Sequence, residues 1–167
     1  MKWMVLLAAL WSVPLAKADV TFHGVIVGVV DGDTIDVRFG PTEDREFLTL
    51  RVRLAEIDAP ERGQPWGKQA RDAVKDDWIL DEVRINYESL DRNGRIVGTV
   101  TRESDGENLN ASLVRRGLAW HYTRYSKSEH LAALQKAAQE SKRGLWADAS
   151  PVAPETWRRR KRTKRSD

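Results

Sequence analysis

Residues 21–39 read TFHGVIVGVVDGDTIDVRF, and the parsing of this stretch decides the fold. TFHGVIVGVV is rich in β-branched residues, D31-G-D33-T34 supplies turn residues, and TIDVRF alternates apolar with polar positions. A β-hairpin is predicted. The polar interval GPTEDRE (40–46) separates it from FLTLRVRLAEI (47–57), where Leu48, Leu50, Val52 and Leu54 fall on one face and Arg51 and Arg53 on the other. Arg53 is therefore expected to point away from the core.

Downstream the period changes. Trp66, Ala70, Ala73, Val74 and Trp78 recur at helical spacing over residues 65–78, with Pro65 as a starter. EVRINYES (82–89) and RIVGTVT (95–101) flank LDRNG, a second hairpin whose Asn93 and Gly94 tolerate positive φ. NLNASLVRRG (108–117) reads as a short helix closed by Gly117, and Ser126 and Glu129 form a capping-box pattern before a final helix that stops at Gly144. Together these predict an α+β fold, a five-stranded Greek-key β-barrel of the oligonucleotide-binding (OB) type with about three α-helices. No internal repeat is visible.

The chain has 167 residues, enough for one sizeable core. Lys2, the apolar run WMVLLAALWSVPLA and the small-residue pattern A16-K-A18 read as a secretory signal peptide over residues 1–18, and Ser12 and Pro14 interrupt a run already too short for a membrane span. The expected organisation is thus the signal peptide, a barrel domain over 19–149, and a linker with a disordered basic tail over 150–167. Export, to a periplasm or the medium, follows from the signal peptide, as does the absence of a stable membrane anchor. There is no cysteine, which excludes disulfides, thiolate nucleophiles and cysteine-ligated zinc. Setting aside Lys2 and Lys17 leaves 26 basic and 25 acidic residues; the last ten, RRRKRTKRSD, hold seven of the basic ones and one acid. The body is acidic and the tail is basic.

Several polar residues cluster at strand ends: Asp31 and Asp33 at the first turn, Arg53 five residues before Asp58, and Glu61 just beyond Pro60. Carboxylates on adjoining strand ends suit a hard cation such as Ca²⁺. His23, His121 and His130 show no zinc-ligand spacing. Carboxylates flanked by arginines are what phosphoryl transfer requires, because negative charge builds on phosphate oxygens in the transition state and a guanidinium fork matches those oxygens. Arg95, at the edge of the second hairpin, is placed to be the second such fork.

The ordered set D31-G-D33-T34, R53-L-A-E-I-D58-A-P-E61, D91-R-N-G-R95 and L113-V-R-R-G-L-A119 resembles the staphylococcal nuclease (thermonuclease) family over about residues 22–146. The resemblance implies an OB-type barrel, secreted and monomeric, that hydrolyses single- and double-stranded DNA and RNA with Ca²⁺ as an endo- and exonuclease, leaving 3′-phosphates. Carried over by residue, Asp33 and Asp58 bind the metal with the Ala59 carbonyl. Glu61 orients or deprotonates the attacking water, and Arg53 and Arg95 hold the scissile phosphate. Asp31 falls beside the metal site. Tyr122 and Tyr125 match tyrosines lining the base pocket, and Arg92 keeps a positive charge next to Asn93, which stands where the family has an aromatic residue. Ala59 replaces a threonine, a change a carbonyl ligand tolerates.

Some features have two readings. Trp66, Trp78 and Trp146 are core pieces or stacking platforms, the first being favoured by the apolar area a Trp brings. The tail is a solvated end or a phosphate-binding arm. The rival for the whole chain is a non-catalytic nucleic-acid-binding OB barrel, which would be expected to have lost some of Asp33, Arg53, Asp58, Glu61 and Arg95; all are present.

Overall fold

The computed structural model describes residues 20–41 and 46–163. The signal peptide expected over residues 1–18 lies outside the described residues. Among those described, no helix is long and apolar enough to cross a membrane.

The opening stretch forms the expected hairpin, β1 (Thr21–Asp31) and β2 (Thr34–Phe39), followed by β3 (Leu48–Leu54) and the short β4 (Ile57–Asp58). Helix α1 (Gly67–Trp78) leads to the second hairpin, β5 (Glu82–Leu90) and β6 (Ile96–Arg102). Then come α2 (Leu109–Arg115), β7 (Trp120–His121), α3 (Glu129–Glu140), a 3₁₀ turn (Gly144–Ala147) and α4 (Pro154–Thr163). Five strands close a barrel in the order β1-β2-β3-β6-β5, with β5 returning to β1, so the OB-type α+β architecture stands. All its ladders are antiparallel except β3 with β6, and β4 pairs separately with β7.

Alternation places Ile35, Val37, Val52, Leu54, Val83, Ile85 and Val100 inside the barrel, fully buried. Ala70, Val74 and Trp78 of α1 and Leu109, Leu113 and Val114 of α2 complete the same core. Each large aliphatic side chain so buried contributes roughly 1.5–3 kcal/mol. Trp78 and Trp146 are core residues as expected, whereas Leu48, expected inward, is 48% exposed at the open start of β3.

Three local expectations are corrected. Ser128, not Ser126, caps α3, its hydroxyl accepting from the Leu131 amide at 3.2 Å; buried Ser126 is drawn off to Glu56, to which it donates at 2.6 Å, and to His121. Among the described residues there are four α-helices rather than about three. The fourth lies in the segment expected to be linker and disordered tail, because Pro154 pre-sets the first turn, Glu155 lies near the positive helix end, and Arg160, Lys161 and Arg162 lie near the negative one.

One buried side chain ties the barrel to its helical layer. Asn110 of α2 accepts from the Val100 amide at 3.1 Å and donates to the Ala55 carbonyl at 2.8 Å, joining β6 to the β3–β4 turn. Asn110→Ala strands both backbone groups out of water and is expected to lower the unfolding free energy by about 2–4 kcal/mol in denaturant titrations.

Candidate active site

The site is built where the β1–β2 turn meets the chain leaving β3. Gly32 makes this possible: a Cβ there would stand 2.7 Å from the Ala70 Cβ and 2.8 Å from the Ala59 Cβ, so only glycine lets the turn settle between α1 and Ala59. Asp31 and Asp33 are carried in on either side. The Asp33 amide donates to Asp31 Oδ1 at 3.1 Å, and Asp33 Oδ2 accepts from the Ala59 amide at 2.7 Å.

Register supplies the arginines. Thr34 of β2 is the partner of Arg53 of β3, and the parallel pairing of Val52 with Ile96 brings Arg95, one residue before β6, to the same edge of the barrel. Arg53 Nη1 lies 3.3 Å from Asp33 Oδ2 and its Nη2 lies 3.3 Å from Asp58 Oδ1. Its shorter bonds go to the Leu54 carbonyl (2.7 Å) and the Ile57 carbonyl (2.9 Å). Arg53 does leave the barrel core, as expected, but enters this polar pocket rather than solvent, its side chain only 15% exposed. Arg95 donates through Nε to Asp91 Oδ2 at 2.7 Å and reaches the Thr34 hydroxyl at 3.4 Å, which itself donates to Asp33 Oδ1 at 3.2 Å. Asp91 answers why an arginine follows the Asn-Gly turn: it holds both the Arg95 side chain and its amide.

Asp33 and Asp58 are buried, and burial pushes both carboxyls above the usual aspartate range; the charge of Arg53 opposes this at Asp33, and Arg158 followed by Arg53 opposes it at Asp58, without cancelling it. Asp31 is raised too, by burial and then by Asp33. Carboxylates raised in this way call for additional positive charge. The donors are oxygen only, the chemistry of a hard divalent cation, so the residues fit such an ion. Among the described residues no three His, Asp or Glu side chains form a ready cage, and the expected set needs only Asp33, Asp58, the Ala59 carbonyl and water.

Glu61 lies beyond Pro60, its amide donating to the Gln64 side chain at 3.0 Å. Its backbone is pressed against Gly67 at the start of α1, where a Cβ would collide with the Glu61 carbonyl. Tyr122 is half-buried, its amide donating to the Glu56 carbonyl at 2.8 Å, and its phenol is pushed up by burial and then by the charge of Asp58; Tyr125 is exposed, its ring 4.9 Å from that of Tyr122. Arg92 is exposed on the β5–β6 turn. Beside Arg95 an open groove of about 510 Å³ is lined by Asp31, Thr34, Asp36, Arg51 and Asn93.

The residue that sequence reasoning missed is Arg158 of α4. Its guanidinium takes Asp58 Oδ1 at 3.0 Å, Asp58 Oδ2 at 2.8 Å and Glu61 Oε1 at 2.6 Å. The helix-start pattern PETWR (154–158) was the signal available, obscured by the basic composition around it.

A barrel of OB type that gathers carboxylates and arginines at one edge defines a class, the hydrolytic nucleases, and the comparisons with known proteins agree. The family model described as staphylococcal nuclease homologue matches residues 51–148. An uncharacterized endonuclease of Escherichia coli is 42% identical over 96% of this chain and 99% of its own. A micrococcal nuclease of Shigella flexneri is 40% identical over 89% of this chain and 85% of its own. An uncharacterized endonuclease of Haemophilus influenzae is 34% identical over 82% of this chain and 73% of its own. The chain belongs to the staphylococcal nuclease family.

Because Asp33 holds its proton to higher pH in the native state than when unfolded, its ionisation lowers stability as pH rises from 3.8 through the raised native value. In chelator, Asp33→Asn is expected to melt at a higher temperature than the parent above that native value. The difference should vanish below pH 3.8, and melting curves across pH check this.

Proposed function

We propose that the protein is an exported, monomeric phosphodiesterase that hydrolyses single- and double-stranded DNA and RNA with Ca²⁺, by in-line attack of water. The observation that carries the reading is the connected cluster of Asp33, Asp58, Arg53, Thr34 and Arg95, drawn from separate strands into one chain of contacts. Asp33, Asp58 and the Ala59 carbonyl would hold the cation, which when bound supplies positive charge to a phosphate oxygen. Arg53 and Arg95 grip the remaining phosphate oxygens and stabilise the charge that builds there. Glu61 orients the water and takes its proton. Attack breaks the bond from phosphorus to the 5′ oxygen, leaving a 3′-phosphate on one product and a 5′-hydroxyl on the other. Tyr122 and Tyr125 offer stacking faces, which suits little base preference, and Arg92 adds charge along the strand. Export rests on the sequence of residues 1–18.

The test is degradation of linear single-stranded DNA with Ca²⁺, with Mg²⁺ and with chelator, followed by end-group analysis. Ca²⁺-dependent cleavage to 3′-phosphates is expected, with kcat lowered about 10²–10⁴-fold in Glu61→Gln and about 10²–10³-fold in Arg95→Ala, both variants remaining folded. Tight binding without cleavage under every ion would make the chain a nucleic-acid-binding barrel instead.

A further inference from the structure

Arg158 stands 100 residues from Asp58 in the chain, yet it occupies both Asp58 oxygens and one oxygen of Glu61. Arg158 takes the bidentate edge of Asp58 and Arg53 also reaches Oδ1, so a metal ion approaching along that edge competes with a guanidinium already in place. The same guanidinium takes Oε1 of Glu61 and so narrows that carboxylate's room to hold a water. Bidentate arginine–carboxylate pairs are the strong form of the ion pair, and this one reaches a side chain only 4% exposed.

The rest of the α4 docking is weaker. The Val152 carbonyl accepts from Gln64 at 2.6 Å, Glu155 pairs with Arg124 at 3.0 Å on the exposed surface, and Trp157 borders a small cavity of about 70 Å³ shared with Pro60, Trp66 and Trp120. The buried indole N–H of Trp157 has no hydrogen-bond partner. An unsatisfied buried donor weakens packing, and Arg158 is the residue of α4 that ties the helix to the site's carboxylates, while Pro154 at its start is buried. Beyond it, residues 159–163 are exposed.

We propose that α4 is an autoinhibitory strap: Arg158 closes the site by standing on Asp58 and Glu61, and a divalent cation must displace it. The inference rests on the reading of Asp58 as a metal ligand and Glu61 as the group that handles water. Its consequence is that the chain's affinity for the ion is set partly by its own C-terminal helix.

Calorimetric Ca²⁺ titration of the full chain, Arg158→Ala, Asp58→Asn and the double variant tests it, with hydrogen exchange over residues 154–163 as a second readout. Arg158→Ala is expected to bind Ca²⁺ about tenfold tighter or better than the parent, an advantage absent in the Asp58→Asn background. Amides of 154–163 should be protected in chelator and exchange faster when Ca²⁺ is added to the parent. Equal or weaker binding by Arg158→Ala, with protection unchanged by Ca²⁺, overturns the strap and leaves the metal site standing. Failure of every folded variant to bind a divalent ion overturns both readings.

Discussion

Two buried aspartates, Asp33 and Asp58, share one arginine, and much else at the site follows from that arrangement. Taking two carboxylates out of water costs several kcal/mol each, which one guanidinium at 3.3 Å does not fully offset. Arg53 is held closest by two backbone carbonyls, at 2.7 and 2.9 Å, so its position is set by the chain leaving β3 and not by the aspartates. The carboxylates are thereby kept in place with bonding capacity to spare. A site of this kind is stabilised further by any cation that completes it, whether a divalent ion or, as here, Arg158.

The barrel exists in a form that keeps this arrangement from relaxing. Asp33 hangs on a turn seated against α1 at Gly32, Asp58 lies in a ladder with Trp120, and Arg95 is fixed through Asp91. Each functional group is thus anchored by backbone or by a second side chain, which is what preorganised charge stabilisation requires. The strain of gathering carboxylates is borne by the hydrophobic core beneath, where Ile35, Val37, Val52 and Leu54 are fully enclosed on the same strands.

Much of this was readable along the chain because it is local. The D31-G-D33 turn, the alternation of β2 and the Asn-Gly hairpin depend on residues that touch their near neighbours, and the arginines and acids stand in motifs of fixed order. Leu48 was misread because alternation does not reveal where a strand runs beyond its covering layer. Ser126 was misread because its preferred partners, Glu56 and His121, are brought to it only by folding. The tail was read by composition, which hid the helix signal in Pro154 and Glu155.

The sequence by itself determined the five barrel strands, the first three helices and the identity of the acids and arginines, since periodicity, turn chemistry and residue type are properties of short stretches; the short pair β4 and β7 emerged only with the fold. Tertiary structure alone decided which of those charges meet: the strand pairings that connect Arg53 to Arg95 through Asp33 and Thr34, and the return of α4 that sets Arg158 on Asp58 and Glu61. Contacts across such separations depend on how whole elements pack, and no local pattern encodes them.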